Sequence, residues 1–191
     1  VNPSDQKIIF KIIRALGSKN VLEIGTHIGS STVSIALAMF QKNEAFFLKT
    51  VDIRNVNDDY LKPWLEFKSK NSPKNNLKLI ELDSFVEFKK SDSLNFLEKE
   101  SKKYDFIFLD GSHRADHVYK EVSLALKLLS SNGLILLHDY YPSSAPIPGP
   151  NEAFQRINKE NKLLSIYHLV DLPFVEDDNL YTSSLALIYK K

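Results

Sequence analysis

The residues of this chain equipped for chemistry stand at the ends of its short apolar runs. Glu23 immediately precedes the turn Gly25-Thr26-His27-Ile28-Gly29-Ser30-Ser31, and Asp52 closes the run Phe47 to Val51. Asp92 follows Phe85 to Lys90, Asp110 and then His113 follow Tyr104 to Leu109, and His138-Asp139 follows Leu134 to Leu137. If these runs are parallel strands, every strand end in the set includes a carboxylate, on the edge where open α/β sheets bind ligands. Asp52 at a strand tip is placed to accept both hydroxyls of a ribose. In the first loop Gly25 permits close backbone approach, and Ser30 or Ser31 can start a helix. That loop reads equally well as a cofactor seat or as a tight turn with a capping serine. A dinucleotide fingerprint G-x-G-x-x-G would need glycines at 27 and 30, where the chain has His27 and Ser30. This counts against a pyrophosphate cradle and an NAD-dependent oxidoreductase.

The elements that must position these residues alternate between short apolar runs and amphipathic segments, the pattern of an α/β domain with a parallel sheet. Residues 3 to 16 predict a helix, with Pro3 in its first turn, Ile9, Ile12, Ile13 and Leu16 on one face, and Gly17 as its stop. Val21 to Ile24 predicts a strand, followed by a helix on which Val33, Ala36, Leu37 and Phe40 recur at helical spacing. Phe46 to Ile53 predicts the second strand, Leu61 to Lys70 part of a helical region, and Phe85 to Lys90 the third strand. Tyr104 to Leu109 is apolar almost throughout, as a strand covered on both faces requires. Val118, Val122, Ala125, Leu126 and Leu129 trace the next helical face; Gly133 ends it, and Leu134 to Leu137 is another buried strand. Tyr141 to Pro150, rich in proline, reads as a loop able to lie over a ligand, with Tyr140 and Tyr141 as either pocket-lining or packing groups. Leu163 to Val170 and Tyr181 to Tyr189, joined through Glu176-Asp177-Asp178, predict an antiparallel hairpin edge.

Composition narrows the function classes. The 191 residues fall in the range of roughly 100 to 200 expected for one domain, so residues 1–191 are read as a single domain with one site. The 43% hydrophobic and 26% charged content is that of a soluble globular domain. A net charge of +1 offers no excess for a polyanionic partner, so nucleic acid is not expected. Lys68, Lys70, Lys74, Lys78, Lys89 and Lys90 are read as ordinary surface lysines. The absence of cysteine removes thiolate chemistry and suits a reducing compartment, so a cytoplasmic location is expected. No apolar run approaches the roughly 18 residues of a membrane span, and the first residues do not resemble a signal peptide. Val1 in place of Met points to trimming or a fragment.

Glu23, Gly25, Gly29 and Asp52 match an acidic residue followed by Gly-x-x-x-Gly, with a second acidic residue closing strand two. In this the chain resembles the class I S-adenosylmethionine-dependent methyltransferases. Glu-Ile-Gly-Thr-His-Ile-Gly-Ser-Ser, Phe-Leu-Asp-Gly-Ser-His and Gly-Leu-Ile-Leu-Leu-His-Asp-Tyr resemble the methyltransferase domain 24 type, relatives of the catechol O-methyltransferase group. Together they span residues 21 to 142. The resemblance implies a Rossmann-like, doubly wound, mostly parallel seven-stranded sheet with an antiparallel C-terminal hairpin edge. It implies S-adenosyl-L-methionine as cofactor. Gly25, Thr26, His27, Gly29 and Ser31 would surround its methionine part, Glu23 and Asp110 would belong to the same site, Asp52 would hold the ribose, and Asp92 with Ser93 would flank the adenine.

The family's metal-dependent members bind a divalent cation after strands four and five, the places of Asp110, His138 and Asp139. Two carboxylates suit magnesium, and an imidazole tilts the preference towards manganese, iron or zinc. The bland reading of Asp110 and Asp139 is that they cap the segments that follow. His113 stands about where relatives carry a lysine that deprotonates the acceptor, and an imidazole pKa of about 6.5 suits a general base; its alternative is a solvated helix opening. His117 is expected at the surface. The implied reaction is methyl transfer to a small-molecule acceptor, a hydroxyl foremost. The rival readings are a noncatalytic methyltransferase-like binding module and the NAD-dependent oxidoreductase. Relatives often pair, so a homodimer is an open expectation.

Overall fold

The computed structural model describes residues 1–42, 45–141, 147–160, 164–176 and 179–190. Helix α1 (Pro3–Leu16) starts where Asn2 Oδ1 accepts the N–H groups of Ser4 and Asp5 at 2.8 and 3.0 Å. It stops at Gly17, whose φ of 64° is a left-handed conformation suited to glycine. Ile9 and Ile13 are fully buried, worth roughly 1.5 to 3 kcal/mol each. Leu16, expected on the same face, lies exposed in the last turn.

The strands are β1 (Asn20–Ile24), β2 (Phe47–Asp52), β3 (Val86–Lys90), β4 (Tyr104–Leu109), β5 (Leu129–His138), β6 (Leu164–Glu176) and β7 (Asn179–Lys190). They are hydrogen-bonded in the order β3-β2-β1-β4-β5-β7-β6. The first five run parallel, while β7 joins β5 and β6 antiparallel, so the C-terminal hairpin forms one edge. The sheet is therefore Rossmann-like, built outward from β1 in one direction and from β4 in the other. The switch point lies between these two strands.

Alternate side chains feed two cores. Val21, Leu48, Phe106 and Phe108 pack with Ile9, Ile13, Ile35 and Met39 of α1 and α2 (Ser30–Phe40) on one face. Leu22, Ile24, Ile107 and Leu109 pack on the other face with α4 (Ser93–Lys99), α5 (Ala115–Leu128) and α6 (Gly149–Glu160). This two-sided burial explains why β4 reads as continuous apolar sequence.

Some expectations change in the tertiary structure. The region 61–70 forms a short 3-10 turn at Pro63–Phe67, and the following helix, α3, is Pro73–Lys78. Gly133 does not stop α5. It lies inside β5, where a bulge opposite Tyr104 and Phe106 brings it so close to the Tyr104 carbonyl that a Cβ would sit 2.9 Å from that oxygen. Helix α6 takes Gly149 and Pro150 from the expected loop and buries Ala153, Phe154 and Ile157; residues 142–146 of that loop, and the connector residues Asp177 and Asp178, lie outside the described residues. Among the described residues no helix is long and apolar enough to cross a membrane.

Candidate active site at the switch point

The turn from β1 to α2 is held by strand neighbours. The Gly25 N–H donates to Val51 and the Asp110 N–H to Ile24, at 2.9 and 2.8 Å. Gly25 has φ 97°, and a Cβ there would run into the Asp110 carbonyl, so glycine permits the close approach of β1 and β4. His27 also adopts a left-handed conformation, φ 52°. Its N–H donates to Asp52 Oδ2 at 2.9 Å, while Asp52 Oδ1 accepts the Arg54 N–H at 2.9 Å. Ser30 is the first residue of α2, and Gly29, at the cap position, supplies no side-chain cap. The capping-serine alternative is therefore not what this turn does.

Behind the turn Glu23 is completely buried. Its Oε2 accepts the hydroxyls of Thr32 and Thr50 at 2.5 and 2.6 Å. Since Thr50 spends its proton on Glu23, Thr26 must donate to Thr50 across 2.6 Å. Among the described residues Glu23 Oε1 has no hydrogen-bond partner. Burial pushes this carboxyl up to about 7, against the opposing pull of the nearby Ser31, Thr32 and Thr50 hydroxyls.

Two cavities adjoin at Gly25 and Gly111. The larger, about 470 Å³, is lined by Thr26, His27, Ser31, Phe67, Asp110, His113 and Asp139 among others. The smaller, about 220 Å³, is lined by Asp52, Asp92, Ser93, His117 and Glu121 among others. Asp92 caps α4, accepting the Asn95 N–H at 3.0 Å. Ser93 Oγ lies 2.9 Å from His117 Nε2, which stands 3.3 Å from Glu121 Oε1. His117 is thus a wall of the smaller cavity and not the surface residue expected. Glu121 escaped the sequence reading; it is buried at helical spacing from His117, and burial pushes its carboxyl up to about 7. An acid at i+4 from a histidine after a strand end was the available signal.

At the far end of the larger cavity, the ends of β4 and β5 bring Asp110, His113, His138 and Asp139 together. The donor atoms of Asp110, His113 and Asp139 lie within 4.8 Å of one another. This convergent group differs from the expected Asp110, His138 and Asp139. His113 Nε2 is 2.8 Å from Asp139 Oδ2 with its ring half exposed; the hydrogen bond to Asp139 raises its pKa. Asp139 is held well below the usual carboxylate range by the neighbouring His113 and His138 rings, which outweigh its burial. His138 is buried behind the group. Its Nδ1 lies at ion-pair distance from Asp110 Oδ1 (2.9 Å) and Asp139 Oδ2 (3.1 Å), without hydrogen-bond alignment. Its Nε2 meets Asp5 Oδ2 at 3.1 Å. Asp5, on α1, gave no sequence signal beyond helix capping.

A profile described as a methyltransferase domain matches residues 22–140. No curated protein matches the chain. Among solved structures, an O-methyltransferase of Streptomyces achromogenes involved in tomaymycin synthesis, in complex with SAM, is similar at TM-score 0.71 and 17% identity, over 98% of this chain and 81% of that one. An O-methyltransferase of Bacillus cereus in complex with SAH gives 0.68 and 20%, over 99% and 82%. A candidate rRNA methylase of Clostridium thermocellum gives 0.67 and 17%, over 100% and 98%. At these identities the likeness is one of fold.

Proposed function

The chain belongs to the methyltransferase domain family, and from that premise we propose that it transfers a methyl group from S-adenosylmethionine to a hydroxyl of a small-molecule acceptor. The observation that carries this reading is the pair of cavities meeting at Gly25 and Gly111, with Asp52 beside one and the His113–Asp139 pair in the other. The cofactor supplies an electrophilic sulfonium methyl. Glu23 Oε1, a buried acceptor lacking a donor among the described residues, suits the amino group of the cofactor's methionine part. The uncapped N–H groups at the start of α2 suit its carboxylate. Asp52 would accept the ribose hydroxyls, and Ser93 with His117 and Glu121 would border the adenine.

Catalysis rests on positioning and on His113. With Nε2–H donating to Asp139, its Nδ1 takes the acceptor proton as the acceptor oxygen bonds to the methyl carbon; the sulfur–methyl bond breaks and its electron pair stays on sulfur, leaving S-adenosylhomocysteine. The net charge of +1 supports a small acceptor over a polyanionic one.

A second reading is favoured by the convergence of Asp110, His113 and Asp139, which would hold a divalent cation able to ionise the acceptor hydroxyl. One imidazole with two carboxylates suits manganese, iron or zinc more than magnesium. The two readings exclude each other at the His113 ring, because a neutral imidazole whose Nε2 lone pair coordinates a cation carries its proton on Nδ1 and has no second lone pair for the acceptor proton.

The test is calorimetric titration with S-adenosylmethionine, S-adenosylhomocysteine and NAD, with and without manganese. Micromolar binding of the first two and none of NAD is expected. Binding of NAD alone would make the protein an oxidoreductase candidate, and no binding at all would leave a noncatalytic module.

A further inference from the structure

Asp5 is 1% exposed, although it stands in the first turn of a helix, where a carboxylate is ordinarily solvated. Its part in the capping box, accepting the Asn2 N–H at 3.2 Å, asks only for an acceptor near the surface. A second contact of the same oxygen reaches across to the sheet. Asp5 Oδ2 lies 3.1 Å from His138 Nε2, 133 residues away in sequence. An ionised carboxylate only accepts, so the ring carries a proton on Nε2 and turns Nδ1 the other way. There Nδ1 meets Asp110 Oδ1 at 2.9 Å and Asp139 Oδ2 at 3.1 Å. The same Asp139 oxygen is 2.8 Å from His113 Nε2.

We infer that Asp5 is a positioning residue: from α1 it holds the His138 ring with Nδ1 towards Asp110 and Asp139, and through Asp139 it sets the place of His113. A carboxylate behind an imidazole fixes the ring's orientation in this way, whether Nδ1 carries a second proton towards a carboxylate or, in the neutral ring, turns its lone pair to a cation. The catalytic meaning of this device rests on the proposed function; the placement of the two rings does not. It makes the seating of α1 on the sheet and the geometry of the acceptor end one unit.

The test compares Asp5→Asn with Asn2→Ala in the full chain, reading the ring nitrogen signals of His138 and His113 by NMR, assigned through His138→Gln and His113→Gln. Asn2→Ala removes the side-chain cap of α1 but leaves the Asp5 carboxylate in place. Asp5→Asn is expected to shift both rings, and Asn2→Ala to lower Tm without shifting either. Unchanged His138 signals in Asp5→Asn, or the same shifts in Asn2→Ala, would overturn the assignment. Asp5→Glu keeps the charge and displaces it by one methylene; it is expected to shift His138 less than Asp5→Asn does, and gives a reading even if Asp5→Asn does not fold. Asp5 is among the lining residues of neither cavity, so Asp5→Asn should bind S-adenosylhomocysteine within twofold of wild type. A tenfold loss would place Asp5 at the cofactor end and overturn the positioning role. If wild type itself does not bind it, the proposed function fails while the NMR comparison still decides the role of Asp5.

Discussion

The Asp52 carboxylate holds the backbone N–H of His27 at 2.9 Å, so the residue proposed for the ribose also clamps the turn proposed for the methionine part. One side chain therefore serves both halves of the cofactor seat. Asp52→Ala should weaken S-adenosylhomocysteine binding by roughly 1.5 to 3 kcal/mol, the range for hydrogen bonds to a charged group. Calorimetry reads this directly, and unchanged affinity would remove Asp52 from the site. Asp52→Asn should fall between the two, since an amide keeps one acceptor.

Glu23 predicts a pH dependence of stability. Its folded pKa is raised from 4.5 to about 7, so the folded state favours the protonated form. The stabilisation is full below about 4.5 and is lost as pH rises towards about 7, at most about 3 kcal/mol in all. Urea unfolding of wild type at pH 5 and pH 8 should show this contribution fading, and Glu23→Gln should flatten the slope between them. An identical slope in both proteins would mean that Glu23 titrates normally.

Gly149 begins α6 against the His113 backbone, where a Cβ would run into the His113 carbonyl oxygen. Gly149→Ala should lower stability by about 1 to 3 kcal/mol, as overpacking does, and should also reduce turnover by moving His113. Thermal unfolding at the wild-type midpoint would show that the two segments do not touch so closely in solution.

His113→Ala should leave S-adenosylhomocysteine affinity unchanged and lower turnover by about 10²- to 10⁴-fold if His113 is the base. Chelation separates the two readings: turnover that survives EDTA supports the base, whereas turnover lost with EDTA and restored by manganese supports the cation. In the latter case Asp139→Asn should abolish the manganese response.

Much of the frame was legible in the sequence. β4 was plain because both its faces are covered, and α1 because Pro3, the buried Ile9 and Ile13, and Gly17 mark its start, face and stop. Helix α6 was obscured because Gly149 and Pro150 continue a proline-rich stretch, and its buried residues Ala153, Phe154 and Ile157 are few among polar neighbours. Gly133 looked like a helix stop because a glycine after an amphipathic segment usually is one; the bulge against Tyr104 depends on β4, 29 positions earlier.

The sequence by itself determined the order of the strands along the chain and the polar residues at their ends. Side-chain periodicity and strand length are local properties, and a parallel sheet puts all such ends on one edge. Only the tertiary structure decided how those residues divide the work. Lateral strand order sets β1 beside β4, placing Gly25 against Asp110, and the docking of α1 brings Asp5 behind His138. Which of the two histidines stands half exposed, and which is buried and held from behind by a carboxylate, depends on contacts between elements far apart in the chain, and no local pattern encodes them.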